Sequence, residues 1–161
     1  MYNWRITKYD PLNRDESGGY LDSEEWTSYS EVGKKLNEEE YLIVEQKYIN
    51  AIKIFMTELG IKKLQIMDLE SYLEEDSTQT TTDFISNLSA GDKVSFHEVE
   101  RLAQLTLREV VWCKLEFEDE LYVHFGYDYY MYIGINKECK RVVQKIEKSG
   151  LFVENFTSPY L

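Results

Sequence analysis

Two cysteines and two histidines supply every thiol and imidazole in this 161-residue chain, so the nucleophilic chemistry open to it is narrow. A cysteine beside a histidine can become an activated nucleophile. A turn centred between Glu118 and Asp119 would pair Phe117 with Glu120, Leu115 with Tyr122 and Cys113 with His124. Both members of that couple would then lie mid-strand on the core face, with no oxyanion donor indicated. A packed thiol beside a satisfied imidazole is the expected arrangement, and no catalytic residue is assigned. His97 falls at the second position of an expected helix and reads as solvated. So few thiols and imidazoles make a structural zinc site improbable. The carboxylate runs lack the Asp/Asn/Gly spacing of a calcium loop. The sequence also has no phosphate-cradling glycine loop, no G-x-S-x-G elbow and no CxxC pair. No metal and no cofactor are expected, and the chain does not read as an enzyme.

The residues better suited to contact than to catalysis are aromatic and acidic. Residues 122–133, YVHFGYDYYMYI, hold five tyrosines, a phenylalanine, a histidine and an aspartate around one tight turn. A turn at Asp128 and Tyr129 would pair Tyr127 with Tyr130, Phe125 with Tyr132 and His124 with Ile133. Alternation then places Cys113, Leu115, Phe117, Tyr122, His124, Met131, Ile133 and Ile135 on the core face. Trp112, Lys114, Glu116, Leu121, Val123, Phe125, Tyr127, Tyr130 and Tyr132 fall on the other face. That second face is either covered by a helix or loop, or exposed as an interface with tyrosine anchors. A one-residue slip in either turn would exchange the faces. Carboxylates cluster at the first hairpin tip (Glu118, Asp119, Glu120) and in a polar stretch (Glu74, Glu75, Asp76).

The elements that position these groups follow from periodicity. Residues 4–9 read as a first strand, with Trp4, Ile6 and Lys8 pointing one way. Asn37 and Glu40 form a capping pair for a long helix over about 38–59, with Tyr41, Tyr48, Ile52, Phe55 and Leu59 along one side and Gly60 as the stop. Residues 63–68 read as a strand, and residues 69–73 could form a turn of helix. Residues 74–83 read as a mobile loop. Ser95 and Glu98 have capping-box form at the start of a second helix. Strands follow at roughly 110–117, 120–127 and 129–135. Residues 137–149 read as a third helix with Cys139, Val142, Val143 and Ile146 inward, and residues 151–156 as a last strand. Strand, helix and strand joined this closely suggest a parallel crossover. The expected fold is α+β: a mostly antiparallel twisted sheet of about five to six strands with three main helices, in a single domain over 1–161.

Composition sets the partner chemistry. The chain is 43% hydrophobic and 14% aromatic, enough for a folded core. No apolar run is long enough to span a bilayer and the N-terminus lacks a signal-peptide layout, so a cytoplasmic location is expected and no membrane contact. The net charge is −12. Such a surface disfavours nucleic acid and favours cationic partners, although acidity also simply keeps a protein soluble. The charge is uneven: residues 137–161 carry five bases and three acids, a balance of +2 that leaves −14 on the rest.

Several stretches bear a likeness to known sequences. WRITKY at 4–9 with Asp10 and Pro11, EWTS at 25–28, LRE at 107–109, WCKL at 112–115 and HFGYDYYMYIG at 124–134 resemble a family of small, uncharacterised, acidic bacterial proteins, chiefly from Bacillus-like organisms. GLFVE at 150–154 and SPY at 158–160 fit the same pattern. The resemblance implies no catalytic residues. In size, acidity and layout the chain is also similar in type to immunity proteins that neutralise secreted bacterial toxins.

Together these features lead to the expectation of a non-catalytic acidic binding protein, an immunity-like inhibitor that occludes a basic toxin domain such as a nuclease. Its contact residues would be Glu74, Glu75, Asp76, Glu118, Asp119, Glu120, Tyr127, Tyr130 and Tyr132. The alternative is a regulatory or housekeeping module that binds a small molecule in a tyrosine-lined pocket.

Overall fold

Asn37 starts the longest helix as its spacing predicts. The computed structural model describes residues 1–19, 21, 24–75 and 77–161. In it the Asn37 side chain accepts from the Glu40 N–H, and the Glu40 carboxylate accepts from the Asn37 N–H. This reciprocal cap satisfies two donors that the first helical turn would otherwise leave free. The helix, α1, runs Glu38–Leu59 and stops at Gly60, which adopts φ 70°. Tyr41, Tyr48 and Phe55, spaced by two turns, are all buried along it.

The strands form one seven-stranded sheet. They are β1 (Tyr2–Thr7), β2 (Lys63–Ser71), β3 (Lys93–Ser95), β4 (Val111–Phe117), β5 (Leu121–Phe125), β6 (Met131–Ile135) and β7 (Phe152–Asn155). Their order is β3-β2-β4-β5-β6-β1-β7, and every neighbouring pair is antiparallel. Besides α1 the described helices are α2 (Gln79–Ser86), α3 (Phe96–Leu107) and α4 (Lys140–Lys148). The α+β class stands, with seven strands and four α-helices among the described residues instead of five to six and three. No helix among the described residues is long and apolar enough to cross a membrane.

The additional elements are short and weakly patterned. Residues 79–86, expected to begin in a mobile loop, form α2 because Thr78 caps the Thr81 N–H and Thr81 and Ile85 turn inward. Residues 69–71 remain strand: a bulge between Ile66 and Asp68 lets β2 continue along β4 to Ser71. β3 has three residues, and its last, Ser95, is also the cap of α3. Around α4 the chain does make a crossover. β6 and β7 both run antiparallel to β1 and hence parallel to each other, but β1 lies between them, so no parallel pair forms.

Both hairpin registers differ from the expected ones by one residue. Phe117 faces Leu121 and Lys114 faces His124, because the first turn spans residues 118–120, with Glu118 at φ 47°. Phe125 faces Met131, and the Tyr130 carbonyl accepts from the Gly126 N–H while its own N–H donates to the Tyr127 carbonyl, the mark of a bulge beside the turn. The two offsets have opposite sign. They cancel beyond β5, so only β5 is turned over. Leu121, Val123 and Phe125 therefore pack with Met131, Ile133, Trp4 and Ile6 against the helices. Tyr122 and His124, expected in that core, lie on the reverse face with Trp112, Lys114, Glu116 and Tyr132.

The reverse face is covered in part by residues 156–161. Tyr160 packs its ring against Trp112, His124 and Tyr132 at centroid distances of 5.6, 6.5 and 6.0 Å. The Tyr132 ring also meets Phe156 at 5.9 Å. Of the two outcomes for this face, cover by a chain segment is the one realised over Tyr122, His124 and Tyr132, all buried.

Candidate functional site: an aromatic cleft at the end of the sheet

The Cys113–His124 couple does not form. The observed register turns Cys113 toward the helices and His124 toward the tail. The thiol is fully buried and burial pushes its pKa up to about 12, far from a reactive thiolate. His124 instead lies between Ser158 Oγ, 2.9 Å from Nδ1, and Glu116 Oε1, 3.1 Å from Nε2. With the carboxylate accepting from Nε2–H, Nδ1 accepts the Ser158 hydroxyl proton. Burial lowers the pKa of this imidazole, against the opposing pull of Glu116. Serine, histidine and glutamate in sequence have the make-up of a nucleophilic relay. Here Ser158 is only 4% exposed and also accepts the Tyr160 N–H, so the chain of bonds fastens residues 156–161 to the sheet.

A different place gathers groups that can meet a partner. α3 ends at Leu107, and Glu109, two residues on, adopts φ 63° before β4 begins. The β5–β6 turn comes up beside this joint with Asp128 and Tyr129 also at positive φ, 53° and 63°. Left-handed backbone is uncommon for residues other than glycine, and for a tyrosine it must be held by its surroundings. Tyr129 is held from three sides. Its hydroxyl donates to the Leu107 carbonyl at 2.9 Å, its own carbonyl accepts the Tyr48 hydroxyl at 2.7 Å, and its ring meets Trp26 edge-on at 4.7 Å. These bonds fix the turn against α3 and α1.

Between the joint and the turn lies a cleft of about 140 Å³. Tyr72, Trp112, Phe125, Tyr127 and Tyr130 line it with Glu109 and Asp128, and no Lys, Arg or His is among its lining residues. The Trp112 indole is fixed by donating to the Phe125 carbonyl at 2.7 Å. Tyr127 is 79% exposed and Tyr72 52%, so the opening is itself aromatic. Among the described residues, three of the four left-handed ones other than glycine sit at this one cleft.

The expected contact residues divide between several places. Tyr127 and Tyr130 are at the cleft. Glu74 and Glu75 are exposed and follow shortly after Tyr72. Asp76 lies outside the described residues. Glu118 and Asp119 are exposed and Glu120 is half-buried, but they occupy the far end of β5 from Tyr127. Tyr132 lies beneath Phe156 and Tyr160. Glu109, Tyr72 and Trp112 are not legible as a group in the sequence because Tyr72 follows β2 while Glu109 and Trp112 flank the start of β4, some forty residues later. Only the pairing of Ser71 with Val111 and the turn at Asp128 bring them together.

Among the described residues, no three His, Cys, Asp or Glu side chains converge to hold a metal ion. Compared with protein-family models, curated proteins and solved structures, the chain matches none.

Proposed function

We propose that this chain is a non-catalytic acidic binding protein of the immunity type, which captures a basic protein domain such as a toxin nuclease and occludes it. One observation carries the reading: an aromatic cleft with two carboxylates and no lining cation, on a chain of net charge −12. The surface charge would steer a cationic domain into encounter, and the exposed tyrosines would supply anchors that exclude water on docking. A cytoplasmic site of action belongs to the same proposal.

The small-molecule alternative is less well supported. Ligand pockets usually enclose about 300–1,000 Å³. The cleft is well below that, near the roughly 150 Å³ that accommodates one benzene-sized ring. It suits one inserted side chain better than a metabolite.

The test is affinity capture from the source bacterium followed by reconstitution. The expected result is a basic protein that binds one-to-one, is released by added salt and loses its activity in the complex. Failure to recover any basic protein, or a recovered partner that remains fully active when bound, would overturn the proposal.

A further inference from the structure

We infer that the cleft between Glu109 and Asp128 receives an arginine side chain of the partner, with the guanidinium held between aromatic rings and the two carboxylates. This deepens the capture reading above and rests on it for the source of the arginine.

The fold already holds two of its own cations in this way. Lys8 Nζ lies 4.1 Å from the centre of the Tyr9 ring and 4.0 Å from that of Trp26, and pairs with Glu25. Arg5 lies 4.5 Å from the Phe156 ring and 5.3 Å from the Tyr130 ring, and pairs with Glu154 at 3.2 Å. Each set consists of two aromatic faces and one carboxylate. The cleft repeats the same parts with more rings and a second carboxylate, and its lining supplies no cation.

The carboxylates are suitably available. Both are exposed. Glu109 accepts one hydrogen bond, from the Ser28 hydroxyl at 3.0 Å, and no ion pair among the described residues engages Glu109 or Asp128. The left-handed turn at Asp128 and Tyr129 is held by the Tyr129 bonds to Leu107 and Tyr48, which fasten it beside the α3–β4 joint that carries Glu109 before anything binds. Guanidinium suits the site better than ammonium. It is planar, weakly hydrated and stacks on aromatic faces, while an ammonium must give up a stronger hydration shell to enter.

The probes are N-acetyl-arginine amide, its neutral isostere N-acetyl-citrulline amide, and N-acetyl-lysine amide. Each is titrated into the ¹⁵N-labelled chain by NMR. Arginine amide should shift the Trp112 indole and Gly126 amide signals in a saturable way, and citrulline amide should bind about tenfold more weakly, the effect of one well-placed cation–π and charge contact. Lysine amide should fall between them. Glu109→Gln with Asp128→Asn should reduce the arginine affinity about tenfold and leave citrulline unchanged, without altering the backbone preferences at either position. Tyr127→Ala, at an exposed ring, should weaken arginine binding in a chain that folds as before. Equal binding of citrulline and arginine, lysine binding as tight as arginine, or shifts scattered over the acidic surface without saturation would each overturn the inference. The failure of the broader proposal looks different: no basic partner is captured, yet arginine amide still saturates the cleft. Conversely, a captured partner that is held as tightly when Glu109→Gln, Asp128→Asn and Tyr127→Ala are combined in one chain keeps the capture proposal and removes the arginine site.

Discussion

The Tyr122 ring lies across Gly134, the residue directly opposite it on the neighbouring strand, so closely that a β-carbon there would fall 2.0 Å from a ring atom. The ring reaches over β6 to place its hydroxyl 2.9 Å from Asn3 on β1, and stacks on His124 at 4.5 Å. A glycine weakens a strand interior, and an aromatic laid across it restores the lost packing.

Gly134→Ala should therefore destabilise the fold by about 1–3 kcal/mol through overpacking. The same substitution in a Tyr122→Ala background should cost much less, because the obstructing ring is gone. Urea unfolding of both singles and the double variant gives the coupling energy. Additive effects would show that the ring does not constrain this position.

Glu45 and Arg108 make a two-bonded ion pair at 2.7 and 2.8 Å between α1 and the end of α3. The partners are unequally placed: the Glu45 side chain is 3% exposed and that of Arg108 29%. Removing arginine strands a buried carboxylate, whereas removing the carboxylate leaves a cation that can reach water. Arg108→Ala should cost about 3–5 kcal/mol and Glu45→Gln distinctly less. Thermal or urea unfolding checks the order, and the reverse order would contradict this account.

His124 makes stability depend on pH with a defined sign. Its folded-state pKa is lowered, chiefly by burial, from an ordinary value of about 6.5. The unfolded chain then binds a proton that the folded chain resists, and stability rises with pH where the unfolded state binds more protons. The contribution is complete above about 6.5 and is lost as pH falls through that value. Glu116, Lys114 and Asp68 surround the group and partly offset one another. Unfolding between pH 7.5 and 5.5 should show a downward slope that His124→Gln flattens. A slope of opposite sign would mean that Glu116 dominates and the imidazole is charged in the folded state.

Both cysteines should be silent toward thiol reagents. Cys113 is fully buried with its pKa pushed up to about 12, and Cys139 is 5% exposed with its pKa also raised by burial. Dithionitrobenzoate at pH 8 should titrate neither in the native chain and both in denaturant. Rapid native reaction at Cys113 would reopen a nucleophilic role for it.

Local signals in the sequence were enough for the parts that local physics controls. The Asn37 and Ser95 caps, the 22-residue α1 and the stop at Gly60 follow from propensity, capping and period, and appear as expected. So do the α+β class and the antiparallel order of the late strands. The acidity and the surplus of tyrosine were likewise plain in the composition. What sequence alone left open is everything that depends on counting residues through a turn. Side chains alternate with a period of two, so one residue more or fewer at residues 118–120, and a bulge at Gly126, decide which face of β5 meets the helices. Tertiary contacts settled that choice: Leu121, Val123 and Phe125 gain a core, while Tyr122 and His124 gain Gly134, Glu116 and Ser158. The same holds for the cleft, whose walls come from the end of β2, the α3–β4 joint and the second hairpin turn. Those segments are distant along the chain, and only the pairing of strands and the anchoring of Tyr129 bring Glu109 and Asp128 to one cleft.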